Sequence, residues 1–574
     1  MSIEHFDAVV VGSGFGGSVM SYRLVSAGMR VCVLERGQAF PPGAFPRTPE
    51  GMHRNFWDPS EKLYGMFDLW SFKHLGALVA SGLGGGSLIY ANVLLRKDEK
   101  WFVREDPTKP GQEYWPVTRQ DLDPHYDRVE RMMNAQRYPF DKAPYHRTEK
   151  TRAMQMAAGK LNLEWMLPPL AVTFSNDGEE PVPGEPIKEE FRNLHNRTRS
   201  TCRLCGECDI GCNYGSKNTL DYNYLSAAKR AGADIRTLCE VERFEPRAGG
   251  GYLIHYRKHN PAVPVDRTAG RITVSADRLV LAAGTLGTTY LLLKNRNALP
   301  ALSPTLGSRF CGNGDLLTFA LRCETETNGK VQPWPVDGTR GPVITSAIRM
   351  PDAADGKEGR GFYIEDAGYP AFVAWLLEAT GAMGTFRRAK RVLGARIKAA
   401  LGIRKDTNFS AELSTIIGAA ELSSTSLPLL GMGRDVADGR LKLEGNLLES
   451  DWTISRSSSY FKRMRETMHN IAKSWGAGFR DNAIWHLGRR VITVHPLGGA
   501  PMGRNASEGV VDEHGEVFGY PDLYVADGAM MPGPVGANPA LTIAALADRF
   551  ADGIVERYQA GLVSRVEIPA AEAV

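Results

Sequence analysis

The sequence FDAVVVGSGFGG, residues 6–17, is the strongest indication of the fold class. Residues 6–11 have the length and branched side chains of a buried strand, and they lead into Gly12, Gly14 and Gly17. G-x-G-x-x-G between a strand and a helix is typical of a dinucleotide site. The first glycine permits the tight turn, the second lets the backbone approach a pyrophosphate, and the third lets the helix pack on the strand. The N-terminus of the helix adds unpaired N–H groups and positive potential.

A second apolar run, residues 30–34, ends at Glu35. An acidic residue at this distance from Gly12 is placed to accept hydrogen bonds from a ribose. Strand, helix, strand and terminal acid together predict a βαβ opening that binds a dinucleotide. The motif by itself leaves FAD and NAD both open.

The composition is that of a globular protein with a glycine surplus. Glycine accounts for 61 of 574 residues, about twenty more than average usage gives. The net charge is only +4, which argues against a nucleic-acid-coating protein. The chain is long enough for at least two domains, and its eight cysteines are too few for a disulfide scaffold.

The N-terminus lacks the features of a signal peptide, and no run of about 18 apolar residues is present. We therefore expect no transmembrane helix and a cytoplasmic location. Thiols are reduced in that compartment, so clustered cysteines suggest metal binding or redox chemistry.

A second glycine loop, ASGLGGGSLIYAN, covers residues 80–92. It presents many backbone N–H groups with little side-chain bulk. A flexible surface turn is one interpretation, but the apolar run that follows at once favours close approach to a planar ring or a phosphate.

Five motifs in order give the chain its resemblance to a known family. They are Gly12-x-Gly14-x-x-Gly17, Gly82-Leu83-Gly84-Gly85-Gly86-Ser87, Ala282-Ala283-Gly284-Thr285, His495-Pro496-Leu497-Gly498-Gly499, and Asp527-Gly528 followed by Gly536-Ala537-Asn538-Pro539. The chain resembles the glucose–methanol–choline (GMC) family of FAD-dependent oxidoreductases, and within it the bacterial cholesterol oxidase-like branch.

The resemblance implies FAD as the cofactor. Members that bind FAD covalently use a histidine near the second glycine loop, and residues 81–92 contain none, so we expect non-covalent FAD. The FAD-binding residues implied are Gly12, Gly14, Phe15, Gly17, Glu35, Gly84, Gly85, Gly86, Ser87, Asn92, Val241, Ala283, Gly284, Asp527, Gly528, Asn538 and Pro539.

His495 and Asn538 are the candidate catalytic residues. Imidazole titrates near the working pH and suits a base that takes the hydroxyl proton of an alcohol. Asn538 is suited to orient that hydroxyl, but Asn followed by Pro539 is also a helix-start signal, and both roles are compatible. In the family, residues at these positions form the pair beside flavin N5.

Cholesterol oxidases also use a glutamate that shifts a double bond after oxidation. The nearby acids are Glu365 and Asp366, and the sequence does not register either of them with that glutamate. Isomerase activity is therefore not predicted, and two solvated acids are the simplest interpretation.

Four cysteines, Cys202, Cys205, Cys208 and Cys212, have the spacing C-x2-C-x2-C-x3-C of bacterial ferredoxins. The spacing is compatible with an iron–sulfur cluster, with zinc, or with reduced or paired cysteines that pack a turn. A cluster would give electrons an exit and favour a dehydrogenase. The other cysteines, Cys32, Cys239, Cys311 and Cys323, are isolated and suggest structural roles.

Residues 386–405 carry eight Arg and Lys around apolar positions at helical spacing, after the apolar residues 369–377. A surface helix with a solvated basic face is one interpretation. A peripheral membrane contact through residues 369–405, where a lipophilic substrate enters, is the other. DNA binding by this segment is not expected.

These patterns predict an α/β protein with a discontinuous Rossmann-like FAD domain and an antiparallel-sheet substrate domain. The FAD domain is assigned residues 1–100, 200–315 and 486–574, and the substrate domain 101–199 and 316–485. The predicted reaction is oxidation of a bulky lipophilic secondary alcohol, best a 3β-hydroxysteroid, with His495 as base, Asn538 orienting the hydroxyl, and O2 or a redox partner as electron acceptor. Alternatives are another terpenoid, aromatic or sugar alcohol, or an electron-transfer flavoprotein.

Overall fold

The computed structural model describes residues 3–103, 113–262, 271–370, 421–482 and 490–566. Most of the basic segment predicted to contact a membrane, residues 369–405, lies outside the described residues. Within them, every helix is either too short or too polar to cross a bilayer.

The helices, in chain order, are α1 (Phe15–Ser26), α2 (Pro49–His53), α3 (Arg119–Met132), α4 (Glu149–Leu161), α5 (Tyr224–Arg230), α6 (Gly284–Lys294), α7 (Glu421–Ser424), α8 (Ser458–Ser474) and α9 (Ala540–Val566).

The strands are β1 (Glu4–Val11), β2 (Val31–Leu34), β3 (Trp57–Asp58), β4 (Leu63–Tyr64), β5 (Phe67–Ser71), β6 (Leu75–Ala80), β7 (Gln136–Arg137), β8 (Glu164–Met166), β9 (Pro169–Leu170), β10 (Asp234–Arg236), β11 (Cys239–Pro246), β12 (Tyr252–Lys258), β13 (Ile272–Leu281), β14 (Leu316–Leu321), β15 (Glu324–Thr327), β16 (Lys330–Pro333), β17 (Ala347–Met350), β18 (Phe362–Asp366), β19 (Leu427–Gly433), β20 (Leu441–Glu444), β21 (Leu447–Ser450), β22 (Gly478–Asp481), β23 (Val491–Thr493) and β24 (Leu523–Val525).

The first large sheet contains the opening motif. Its order is β10-β2-β1-β13-β12-β11, and β24 also pairs with β13. The pairs β10–β2, β2–β1, β1–β13 and β13–β24 are parallel, whereas the pairs β13–β12 and β12–β11 are antiparallel. Helix α1 packs against α9 and α5 on one face. The predicted Rossmann-like α/β fold is confirmed.

The second large sheet is entirely antiparallel, in the order β22-β14-β19-β18-β17-β8. Strand β18 lies near its centre and is buried on both faces. Helices α4 and α8 pack together beside this sheet, and their apolar faces join its core.

The domain boundaries given above stay a prediction. The strands of the first sheet come from residues 4–34, 234–281 and 523–525, and those of the second from residues 164–166 and 316–481. Because the chain leaves the first sheet and returns to it near residue 523, a site between the sheets draws on distant parts of the sequence.

Candidate active site

A cavity of about 1240 Å³ lies at the carboxyl ends of β1, β2 and β13 and extends to the second sheet. We call it the flavin cavity. The predicted residues that line it are Gly12, Gly14, Phe15, Glu35, Gly85, Gly86, Asn92, Val241, Ala283, Gly284, His495, Asp527, Gly528, Asn538 and Pro539. Binding residues that are scattered over more than 500 positions of sequence therefore share one space.

Three predicted residues, Gly17, Gly84 and Ser87, lie outside the cavity lining. A Cβ on Gly17 would lie 2.2 Å from the carbonyl oxygen of Gly12, so this glycine permits helix–strand packing. The Ser87 hydroxyl donates to the Gly84 carbonyl at 2.7 Å and accepts from the backbone N–H of Leu220 at 3.1 Å. These residues therefore support the glycine turns by packing and hydrogen bonds on the side away from the cavity.

The glycines near the flavin cavity are of two kinds: some lie against protein backbone, and others face open space. A Cβ on Gly12 would lie 2.3 Å from the Ala282 carbonyl oxygen, and one on Gly16 would lie 1.5 Å from that of Ala526. A Cβ on Gly14 or Gly284 would meet no protein atom within 4 Å, although both residues line the cavity. Gly14 is also the N-cap of α1 and has no side chain to cap it. The turn thus leaves room for a pyrophosphate at the helix N-terminus.

Glu35 is buried at the end of β2 and held in place from two sides. Its Oε2 accepts from the backbone N–H and the hydroxyl of Ser13, at 3.1 and 2.6 Å, and its Oε1 accepts from Gly37 N–H at 2.8 Å. A carboxylate has about four acceptor positions, so capacity for a ribose hydroxyl remains.

Two further polar groups suit a bound dinucleotide. Asn92 is fully buried with a φ of +74°, and neither its Oδ1 nor its Nδ2 has a partner among the described residues. Buried amides are normally satisfied, so a ligand in the cavity is the natural partner. Asp527 accepts from the Thr288 hydroxyl at 2.5 Å, and burial raises its pKa to about 6. These features fit FAD.

His495 is fixed by a carboxylate that the sequence analysis missed. Its Nδ1 lies 2.8 Å from Asp315 Oδ1, while Asp315 Oδ2 accepts from the backbone N–H groups of Val494 and His495 and from the Thr493 hydroxyl. A proton on Nδ1 is the arrangement that this contact favours, because the acceptor is a carboxylate. The second nitrogen, Nε2, is then free to accept a proton in the cavity.

One turn, residues 312–315, supports both candidate catalytic residues. Asn313, with a φ of +52°, donates from Nδ2 to the Ala537 carbonyl at 3.0 Å and accepts from Gly536 N–H at 2.9 Å. These bonds fix the backbone just before Asn538, while Asp315 fixes His495. Nothing in the local sequence signals these partners, which lie 180 and 223 residues further along the chain.

Asn538 contacts Glu365, and this contact corrects the sequence analysis. Nδ2 of Asn538 donates to Glu365 Oε2 at 3.4 Å. The prediction that Glu365 is solvated was wrong: its exposure is 0 %, its Oε1 has no partner among the described residues, and burial raises its pKa to about 8. Helix α9 begins at Ala540, one residue later than predicted.

Asp366 was also predicted to be solvated, and it is fully buried as well. It faces the other side of β18, where its carboxylate accepts from the backbone N–H groups of Thr345 and Ser346, at 3.0 and 2.6 Å. Lys150 lies 3.4 Å from it. Two adjacent acids therefore have different functions: Asp366 is satisfied within the protein fold, and Glu365 faces Asn538.

The part of the flavin cavity formed by the second sheet is apolar. Leu317, Phe319 and Leu430 line it from β14 and β19. Apolar side chains also remain exposed among the lining residues, with Leu447 at 70 % and Val494 at 42 % exposure. Such walls suit a bulky, lipophilic ligand.

The four clustered cysteines line a second, small cavity, which we call the cysteine cavity. All four are free thiols. Among these described residues, no three sulfurs lie within 4.8 Å of one another. A zinc ion would draw its sulfurs to about 3.8 Å, given Zn–S bonds of about 2.3 Å. The sulfurs therefore do not form a compact zinc site as they stand, and a polynuclear centre or reduced cysteines that pack a turn are both compatible with this arrangement.

Lys217 connects the two cavities, and it too was missed from the sequence. Its Nζ donates to the Cys208 carbonyl at 2.8 Å and to the Leu88 carbonyl at 3.0 Å. Burial lowers its pKa to about 8, and burial raises the pKa of the Cys205 thiol to about 12. Thiols in this state release protons on binding a metal.

The Rossmann-like sheet and the large cavity at its glycine turns define a dinucleotide-binding α/β protein. Two models of the GMC oxidoreductase family match residues 189–311 and 437–547, and a model of an NAD(P)-binding Rossmann-like domain matches residues 10–53. A cholesterol oxidase of Mycobacterium tuberculosis is 30 % identical over 95 % of this chain and 90 % of its own.

The chain belongs to the GMC oxidoreductase family and is an FAD-dependent oxidoreductase that acts on CH–OH groups. It is also similar to a long-chain-alcohol oxidase of Arabidopsis thaliana, at 23 % identity over 96 % of this chain and 68 % of that one. Pyridoxine 4-oxidase from Mesorbium loti has the same fold, with a TM-score of 0.55 and 17 % identity over 95 % of this chain and 98 % of that one.

Proposed function

We propose that this protein oxidises a bulky, lipophilic secondary alcohol, best represented by a 3β-hydroxysteroid, to the ketone. The observation that carries the proposal is the Asp315–His495 pair, which lies in a cavity that combines dinucleotide-binding turns with apolar walls. The name of the cholesterol oxidase relative supports the sterol class.

His495 takes the hydroxyl proton of the alcohol at Nε2. Asp315 holds the Nδ1 proton and stabilises the positive charge that forms on the imidazole ring. Because Asp315 also accepts from the His495 backbone N–H, the ring and its backbone are held by one carboxylate. The base is therefore oriented before substrate binds.

Asn538 orients the substrate hydroxyl. Its Oδ1 is buried without a partner among the described residues, so it is available to accept from that hydroxyl. Glu365 holds the amide from the other side.

Gly14, Gly284, Glu35 and Asn92 would hold FAD without a covalent bond. Bound FAD supplies the acceptor for the carbinol hydride.

Anaerobic mixing of the holoenzyme with a 3β-hydroxysteroid tests the proposal. We expect loss of flavin absorbance in wild type and a rate lower by about 10²–10⁴ in His495→Ala, the range usual for a lost general base. Equal rates would refute the base assignment. Bleaching by long-chain or sugar alcohols but not by steroids would refute the sterol class, and bleaching by no alcohol would favour an electron-transfer flavoprotein.

A second activity, isomerisation of the double bond after oxidation, is favoured by Glu365. It is buried beside Asn538 with an unpartnered oxygen, which suits a group that moves a proton on the product ketone. We expect Glu365→Gln to release the unconjugated ketone, detected by the missing ultraviolet absorbance of the conjugated product. If the variant still releases conjugated ketone, Glu365 is not the isomerisation base.

We also infer that Cys202, Cys205, Cys208 and Cys212 bind an iron–sulfur cluster. Their ferredoxin-like spacing and their convergence on one cavity support this inference. Iron and acid-labile sulfide in protein purified without oxygen test it, with Cys208→Ser compared to Cys323→Ser, a buried cysteine in the loop that follows β14. Zinc, or no metal, in wild type would refute the cluster.

A further inference from the structure

The flavin cavity and the cysteine cavity share a wall that is one residue thick. Cys208 lines the cysteine cavity, and the next residue, Asp209, lines the flavin cavity. A second segment has the same arrangement: Pro342 lines the cysteine cavity, and Val343 lines the flavin cavity. Consecutive Cα atoms are only 3.80 Å apart, so no packed layer of side chains separates the two spaces at these points.

Direct contacts cross this wall. Lys217 lines the cysteine cavity and donates to the Leu88 carbonyl of the second glycine loop. Its Nζ lies 4.7 Å from the ring centre of Tyr90, which lines the flavin cavity. Lys217 is thus in contact with residues on both sides of the wall.

On its far side, the cysteine cavity reaches the protein surface at a cation. Arg203 lines it and is exposed, with its guanidinium 4.7 Å from the ring centre of Tyr214. The neighbouring acid, Glu207, is paired with Arg47 at 2.9 Å. Positive charge therefore marks the outer end of the cysteine cavity.

We propose that the electrons taken from the alcohol leave the protein through this wall and pass at Arg203 to an anionic one-electron acceptor. The inference rests on the proposed alcohol oxidation and on the cluster. One alcohol gives up two electrons and two protons and becomes a ketone. The electrons cross the wall singly, two acceptor molecules are each reduced by one electron, and both protons go to solvent.

The first test uses anaerobic holoenzyme and one equivalent of a 3β-hydroxysteroid, followed by electron paramagnetic resonance and flavin absorbance. We expect the cluster signal to change together with flavin bleaching in wild type and in Cys323→Ser. In Cys208→Ser, we expect bleaching without a signal change.

The outcomes separate the proposals. Bleaching with an intact cluster whose signal stays constant overturns the electron path and leaves the alcohol oxidation standing. A cluster that dithionite reduces in a protein that no alcohol bleaches overturns the proposed function instead.

The second test does not depend on folding of a cysteine variant. Arg203→Glu reverses a surface charge, and Arg131→Glu is the matched control on the exposed face of α3. We expect Arg203→Glu to lower kcat/KM for anionic ferricyanide about 10-fold and to raise it for a cationic ferrocenium, since local charge steers acceptors in opposite senses. Equal effects on both acceptors, or the same effects in Arg131→Glu, would overturn the exit at Arg203.

Discussion

At the residue scale, the most informative group is Asp315, which the sequence does not mark. Its carboxylate serves the ring of His495 and three groups of the segment 493–495. A base held in this way differs from a free histidine because its tautomer and its ring orientation are set before substrate binds.

Asp315→Asn tests this role. Without the carboxylate, neither the tautomer nor the orientation of the His495 ring is fixed, so kcat should fall at least ~10-fold while KM changes little. The measurement is steady-state kinetics between pH 5 and 9.

The matched control is Asp366→Asn, a buried carboxylate that bonds to Thr345 and Ser346 and not to His495. It should leave kcat close to the wild-type value even if it lowers stability. An equal fall of kcat in both variants would remove the positioning role from Asp315.

Glu365 predicts a dependence of stability on pH. Its pKa is about 8 in the folded protein and 4.5 in the reference state, so the folded protein binds this proton more tightly. The stabilisation is complete below about pH 4.5 and is lost as pH rises toward 8, with a slope of at most about 1.4 kcal/mol per pH unit.

In Glu365→Gln this contribution is absent. Urea unfolding at pH 5, 6, 7 and 8 should show a shallower fall of the free energy of unfolding than in wild type. Parallel curves for the two proteins would show that the carboxyl does not carry a proton in the native state at neutral pH.

At the scale of elements, the β1–α1 turn contains one glycine that folding requires and another that leaves space for a ligand. Gly16 meets the Ala526 backbone at a distance that no Cβ tolerates, whereas the space beside Gly14 is free of protein atoms and belongs to the cavity. Gly14 also has an ordinary φ of −71°, so alanine is compatible with its backbone.

Gly14→Ala should keep the melting temperature of the apoprotein within a few degrees and weaken FAD binding at least ~10-fold, because the added methyl group occupies the cofactor's space. Gly16→Ala should instead lower the melting temperature or prevent folding, since the Ala526 backbone must move. Calorimetry of apoprotein and flavin fluorescence titration measure the two effects. Equal FAD affinity in Gly14→Ala and wild type would place the pyrophosphate elsewhere.

The elements also show what the sequence can and cannot predict. The glycine turn was predictable because its strand, helix and acid are local in sequence. The burial of Glu365 and Asp366 was not predictable, because acidic residues usually lie at the surface. Partners from other parts of the chain, among them Asn538 for Glu365 and Ser346 for Asp366, account for it. The four cysteines were recognisable by spacing, but the wall beside Lys217 depends on long-range packing.

At the scale of the whole molecule, the flavin cavity lies between the two large sheets and draws residues from both. A ligand that fills it binds the native state only. The stabilisation then follows RT ln(1 + [L]/Kd), or about 2.7 kcal/mol at 100 times Kd.

FAD should therefore raise the melting temperature of apoprotein in proportion to the logarithm of its concentration. Gly14→Ala should reach the same melting temperature only at a higher FAD concentration. The increase in concentration should match the increase in its Kd. The control is riboflavin, which lacks the dinucleotide and should stabilise far less. Equal stabilisation by both would argue that the glycine turns do not bind the pyrophosphate.

The contact between Gly16 and Ala526 has a consequence for the order of events during synthesis. A ribosome adds about 5–20 residues per second, so roughly 25–100 s pass between the appearance of the two partners. Strand β13, which pairs with β1, is synthesised more than 260 residues after β1 begins, and β24, which pairs with β13, is synthesised later still. For most of translation the nascent chain holds half of a dinucleotide site, and loading of the cofactor becomes a late, post-synthetic step.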